Sequence, residues 1–215
     1  LERHEVNRFA NRNMLVHVNN VRGRFVVVVH TQTGDVSENL IELLHLLDAI
    51  VDADPDDVMV VFPYMPYARA DKKDQSRVST FARRLADIIN GSYHIKRILL
   101  LDPHDDHVKS FFRPTAESVS AMYLITDYLE HDYFTQRSKD DHGLILGDAG
   151  AVKRFKRIPR LLGLRYAFID KDRAGNDDHA EAQTVIGDVY SLRGILFDDE
   201  VASGGTVKTD VKILK

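Results

Sequence analysis

The chain of 215 residues contains no cysteine. That absence excludes disulfides, thiolate metal sites and a cysteine nucleophile, and it fits a cytoplasmic chain. There is no excess of basic charge: 29 Lys and Arg stand against 33 Asp and Glu, for a net charge of −4. A bulk electrostatic grip on nucleic acid is not expected from that balance. Long apolar runs are also missing. The longest, such as Phe25–Val29 and Ile98–Leu101, fall far short of a membrane span. No stretch reads as a signal peptide. The chain starts at Leu1 rather than Met, so an incomplete N-terminus is expected. What is present is 44% hydrophobic and 29% charged, an ordinary globular composition with enough apolar residues for one large or two small domains.

The periodicity alternates between strand and helix. Met14–Val18 and Phe25–Val29 read as strands around a turn at Arg22-Gly23. Val36–Ala53 reads as a helix, because Leu40, Leu43, Leu44, Leu47, Ile50 and Val51 recur at helical spacing and Asp35 or Ser37 can cap its start. Val58–Phe62 is a short β-branched run that suits a buried strand. Val78–Asn90 reads as the next helix, with Gly91 at its C-terminal stop. Ile98–Leu101 is a strand, and Pro114 marks a boundary. Beyond it, Ser118–Glu130 reads as helix and Leu144–Leu146 as strand. Ala151–Leu162 reads as a helix that Pro159 must kink or split, and Tyr166–Ile169 and Ile195–Phe197 as strands. The expected fold is α/β: two similar domains, residues 1–114 and 115–215, each a mainly parallel sheet flanked by helices, with ligands at the carboxyl ends of the strands.

The polar segments fall just after strands. The richest is Ile195–Thr206, ILFDDEVASGGT. Three apolar residues suit a buried strand, two carboxylates follow, and Ser203, Gly204, Gly205 and Thr206 lead into a helical segment. Glycines let backbone N–H groups approach an anion, and the helix N-terminus and hydroxyls favour phosphate. Carboxylates suit a sugar diol, since each accepts two hydrogen bonds. The stretch therefore reads as a sugar-phosphate site, with phosphate at Ser203–Thr206 and ribose at Asp198 and Asp199. It lacks the Gly-Lys-Ser/Thr of a Walker A loop. Tyr67–Arg77, YARADKKDQSR, reads either as a solvated charged loop or, from its place between strand and helix, as a ligand site. Asp102–His107, DPHDDH, reads as a surface cluster or as a divalent cation site, where carboxylates and imidazole suit Mg2+ or Mn2+.

The Ile195–Thr206 string resembles the PRPP-binding motif of the type I phosphoribosyltransferase fold at Asp198, Asp199, Ser203, Gly205 and Thr206, and departs from it at Ala202. The chain as a whole resembles the ribose-phosphate pyrophosphokinase (PRPP synthetase) family. The resemblance rests on VRG at Val21–Gly23, ENLIELL at Glu38–Leu44, PYARADKKDQSR at Pro66–Arg77 and LDPHDDHVKSFF at Leu101–Phe112. It continues with GDAG at Gly147–Gly150, IDKDR at Ile169–Arg173 and IGDV at Ile186–Val189. It covers nearly the whole chain, which is shorter than typical members at both ends.

The resemblance implies transfer of the β,γ-diphosphoryl group of ATP to the C1 hydroxyl of ribose 5-phosphate, giving PRPP and AMP. It implies Mg2+, with Mn2+ as the alternative, at His104 and Asp148. Phe9, Asn11, Asn13, Arg69, Asp71 and His104 match ATP-binding positions, and Lys171 and Arg173 match a basic pair that stabilises the transferring group. Asp198 and Asp199 match the ribose acceptors, and Ser203, Gly204, Gly205 and Thr206 the 5-phosphate loop. The loop of Phe9, Asn11 and Asn13 would reach a neighbouring subunit, so a homo-oligomer, dimer or hexamer, is implied. No nucleic-acid or membrane partner is expected. Departures stand at Asn11, Asn13, Ala70, Pro103, Asp106, Lys109 and Ala202. They leave open a non-catalytic regulatory homologue that assembles with an active synthetase. A phosphoribosyltransferase that consumes PRPP fits the Ala202–Thr206 loop alone, but the duplicated α/β half argues against it.

Overall fold

The structure is a computed structural model that describes residues 3–31, 34–172 and 182–214. The chain divides into two compact units, Leu1–Ser120 and Ala121–Lys215.

The first unit opens with an antiparallel hairpin of β1 (Glu5–Arg8) and β2 (Met14–His17). Its main sheet has four parallel strands in sequence order: β3 (Phe25–Val29), β4 (Asp57–Phe62), β5 (Arg97–Leu101) and β6 (Glu117–Val119). Parallel neighbours need crossovers, and helices α1 (Val36–Asp52) and α2 (Phe81–Ser92) supply the first two. Asp35 caps α1, its Oδ1 accepting from the N–H groups of Ser37 and Glu38 at 3.0 Å each. The apolar stripe of α1, Leu40, Leu43, Leu47 and Ile50, packs into one core with Val58, Val60 and Phe62 of β4 and Leu100 of β5.

The second unit carries a sheet in the order β10-β7-β8-β9. Its strands are β7 (His142–Leu146), β8 (Arg165–Asp172), β9 (Ala182–Gly187) and β10 (Arg193–Phe197). β7 pairs in parallel with β8 and β10, while β9 runs antiparallel to β8. All five residues of β7 are buried, as a central strand covered on both faces requires. His142 is buried there with both ring nitrogens partnered, by the Ser138 carbonyl at 2.8 Å and the Tyr133 hydroxyl at 3.3 Å. The helices are α3 (Met122–Tyr128), α4 (Ala149–Phe155), α5 (Arg157–Leu162) and α6 (Gly205–Ile213).

The structure has the expected α/β architecture, with local differences. Ser118 lies in β6, not in a helix, because the edge of β5 takes one more strand; residues beyond Pro114 therefore belong with the first unit. The second helix begins at Phe81 and runs through Gly91 to Ser92. Of the kink or split expected from Pro159, the structure shows a split. The break falls at Lys156, between α4 and α5, so Pro159 occupies the first turn of α5, where a missing N–H leaves no helical bond unmade. No helix among the described residues is long and apolar enough to cross a membrane.

Candidate functional site

In the first unit, the loops that follow β4 and β5 come together because those strands are parallel neighbours. The loop after β4 contains PYARADKKDQSR. It folds back on itself: the Ala70 N–H donates to the Tyr67 carbonyl at 2.8 Å, and the Ala82 N–H donates to the Ala70 carbonyl at 3.2 Å. The Tyr67 ring meets Phe81 edge-on at 4.9 Å, and its hydroxyl lies 2.8 Å from Ser37 Oγ. This folding buries Asp71, whose side chain is 1% exposed, while Arg69, Lys72, Lys73 and Arg77 stay exposed. Asp71 Oδ2 has no hydrogen-bond partner.

The loop after β5 supplies Asp105, which caps a 3-10 turn at Asp106–Phe111. Its Oδ1 accepts from the His107 N–H at 3.2 Å and lies 2.9 Å from His107 Nδ1. His107 Nε2 faces Asp71 Oδ2 at 3.6 Å, and the ring stands edge-on to Phe111. The imidazole holds the Asp105 carboxyl below the usual carboxylate range. Lys109, then Ser118, does the same to Asp106. Asp71, Asp105 and His107 thus each bring one donor atom within 4.8 Å of the others. His104 is exposed in the same loop and is not one of that trio.

Phe9, Asn11 and Asn13 form the tip of the β1–β2 hairpin. The Phe9 N–H donates to the Asn13 carbonyl at 2.9 Å, and Asn11 Oδ1 accepts from the Asn13 N–H at 3.1 Å. One side of the Asn11 amide is thereby used within the turn, while the Phe9 ring is 53% exposed. The tip borders a depression completed by Met14, Ile41 and His45.

In the second unit, β7 and β10 lie side by side and in register, so the residues after each strand converge. Asp148 follows β7 and caps α4, its Oδ1 accepting from the Ala151 N–H at 2.7 Å. Asp198 and Asp199 follow β10. Asp198 Oδ1 accepts from the Asp199 N–H at 2.9 Å, and Asp199 Oδ2 accepts from Arg154 Nη1 at 3.0 Å. Burial, then the neighbouring Asp199 and Asp148, pushes the Asp198 carboxyl above its ordinary value. Gly204 caps α6 with φ 72°, a left-handed conformation that costs a side-chain residue energy. Ser203 Oγ accepts from the Gly205 N–H at 3.3 Å. Ser203 and Thr206 are exposed at the opening of the helix. Acids at one end and a hydroxyl-lined helix N-terminus at the other can hold a sugar phosphate.

Two further residues shape this second site. Arg154 lies in the basic run after α4 begins, and the sequence does not say which of Lys153, Arg154, Lys156 and Arg157 turns inward. Asp210 is fully buried on α6, and a Cβ on Gly147 would sit 3.6 Å from its Oδ2 and 3.7 Å from Asp198 Oδ2. Its signal in the sequence is an acid among Val207, Ile213 and Leu214, the apolar row of the helix. Lys171 falls at the end of β8, and Arg173 lies outside the described residues.

Residues 1–92 match the family model described as the N-terminal domain of ribose phosphate pyrophosphokinase. The chain is similar to a ribose-phosphate pyrophosphokinase of Deinococcus radiodurans, 33% identical with 100% of this chain and 66% of the relative covered. One from Fusobacterium nucleatum is 30% identical over 94% of this chain and 63% of its own length. Among solved structures, phosphoribosylpyrophosphate synthetase from Mycobacterium smegmatis superposes with a TM-score of 0.83 at 29% identity, over 99% of this chain and 67% of that one. The chain thus spans about two thirds of the length of the curated relatives it matches. With the N-terminal family model matched, relatives similar over nearly the whole chain and a solved synthetase that superposes on it, the chain belongs to the ribose-phosphate pyrophosphokinase family.

Proposed function

We propose that the protein is a ribose-phosphate diphosphokinase, which moves the β,γ-diphosphoryl group of ATP to the C1 hydroxyl of ribose 5-phosphate and releases PRPP and AMP. The observation that carries this reading is the second-unit site, where Asp198 and Asp199 after β10 stand beside Asp148 after β7 and in front of the Ser203–Thr206 opening of α6. Asp198 and Asp199 accept hydrogen bonds from the ribose 2- and 3-hydroxyls. Ser203, Gly204, Gly205 and Thr206 hold the 5-phosphate through hydroxyls and backbone N–H groups. That fixes the sugar so that its anomeric oxygen is presented to the β-phosphorus, and most of the rate comes from such positioning and from charge stabilisation.

Arg69 contacts the ATP phosphates, Asp71 holds its loop, and the Phe9, Asn11 and Asn13 hairpin tip takes the adenine of a neighbouring subunit in a homo-oligomer. Lys171 and Arg173 stabilise the transferring group. The family resemblance implies Mg2+ at positions that His104 of the first unit and Asp148 of the second each match, and Mn2+ suits the same donor types. The raised Asp198 carboxyl fits a cation here, because crowding with Asp148 and Asp199 is relieved by positive charge. When bound, the ion neutralises phosphate charge. The protein acts on small molecules in the cytoplasm, without a nucleic-acid or membrane partner.

The test is an assay with Mg-ATP and ribose 5-phosphate that follows AMP and PRPP together. Equal formation of both is expected. AMP without PRPP would reduce the activity to hydrolysis. Ribose 5-phosphate binding without turnover would make the chain the regulatory homologue instead.

A further inference from the structure

We infer that Asp71, Asp105 and His107 form a divalent-metal site within the first unit that does not use His104. The first observation is the convergence itself: one donor atom from each residue lies within 4.8 Å of the others. The second is Asp71. Its side chain is 1% exposed, its Oδ2 accepts no hydrogen bond, and that oxygen faces His107 Nε2. A buried carboxylate oxygen without a donor is costly, and it is retained where a cation or another partner satisfies it.

The distances suit an ion. Asp71 Oδ2 and His107 Nε2 are 3.6 Å apart, too far for a hydrogen bond. Two donors at roughly 2.0–2.2 Å from one ion in tetrahedral geometry are separated by about 3.4 Å. Octahedral geometry at ~2.1 Å would bring them to about 3.0 Å. The spacing therefore favours a tetrahedral ion such as Zn2+ over Mg2+, and a mixed imidazole and carboxylate donor set agrees. Asp105 Oδ1, 2.9 Å from His107 Nδ1, orients the ring so that Nε2 points at Asp71. Metal-binding histidines are held in this way by a carboxylate on the other nitrogen. The Phe111 ring, edge-on at 5.3 Å, further limits imidazole rotation.

An ion here ties the loop after β4 to the loop after β5. It would fix the segment from Pro66 to Arg77 in the folded-back form that the Ala70 and Ala82 hydrogen bonds describe. The site does not depend on the proposed reaction, since metal binding is read directly.

The experiment uses the full chain after exhaustive dialysis against chelator, titrated with ZnCl2 by calorimetry, with Co2+ as a spectroscopic substitute. The wild type is expected to bind one equivalent of Zn2+ at this site and to give the visible absorption of four-coordinate Co2+. His107→Gln and Asp71→Asn are each expected to weaken Zn2+ binding at least ~10-fold and to bleach the Co2+ band, and Asp105→Asn to weaken it by about 10–100-fold. His104→Gln is expected to leave both signals in place. His107 is 42% exposed, so its replacement does not threaten folding, and circular dichroism checks each variant. Zn2+ binding of wild-type affinity and stoichiometry that survives both His107→Gln and Asp71→Asn overturns the inference. So does a wild type that binds no Zn2+, or a Co2+ band lost in His104→Gln alone.

Discussion

Replacing Arg154 by Met removes the guanidinium from Asp199 while keeping much of the side-chain stem. The pair spans 3.0 Å between Nη1 and Oδ2, with side chains 27% and 19% exposed. Those exposures set the magnitude. An open surface pair is worth about 0–1 kcal/mol, whereas breaking a buried one costs about 3–5 kcal/mol. This pair lies between, and the Asp198 carboxyl next to it adds repulsion once the cation is gone, so a coupling of about 1–2 kcal/mol is expected. A double-mutant cycle with Arg154→Met and Asp199→Asn, read by urea denaturation, isolates that coupling. Arg154→Met alone should lower Tm by about 2–8 °C. It should also raise the KM for ribose 5-phosphate, because Asp199 is less firmly held. A coupling below about 0.5 kcal/mol would refute the view that Arg154 positions Asp199. A raised KM with no coupling would instead put Arg154 against the anionic ligand itself.

Asp198→Asn should abolish PRPP formation yet stabilise the fold at pH 7 by on the order of 0.5–2 kcal/mol, since a strained site residue is relieved. The sign follows from its raised folded value. The cost of ionising Asp198 is absent below the ordinary carboxylate value near 3.8, grows as pH rises from there to the raised value, and is complete above it. Thermal melts at pH 7 and below pH 4 should therefore show the stabilisation at the higher pH only; an equal shift at both would contradict it. Gly187→Ala places a Cβ 2.6 Å from the Tyr166 carbonyl oxygen and 2.7 Å from Ala167 Cα, at φ 130°. Both obstacles are backbone, so a loss of about 3 kcal/mol or more is expected, visible as a soluble yield or Tm far below wild type. Lys171→Ala should cut turnover by about 10²–10³-fold with little change in ribose 5-phosphate affinity, as for loss of one transition-state stabiliser. Full activity in that variant would remove Lys171 from the proposed catalytic pair.

The sequence by itself determined the layer architecture and the position of the polar segments. Local terms decide those: the apolar run Leu144–Leu146 suits a buried strand, and the spacing of Leu40, Leu43, Leu47 and Ile50 suits one face of a helix. The Ser203–Thr206 turn was legible for the same reason, because Gly204 at φ 72° is a local demand of the backbone. Sequence did not decide where elements yield to their neighbours. Ser118 became a strand residue because β5 offered an unpaired edge, and the break at Lys156 moved the helix start so that Pro159 falls in a first turn. Nor did it choose among like residues. Arg154, out of a run of four cations, meets Asp199, and His107, next to an equally conspicuous His104, turns to Asp71 more than thirty positions earlier in the chain. Those choices depend on strand register and on which carboxyl is buried. Both are consequences of long-range packing, so only the tertiary structure settles them.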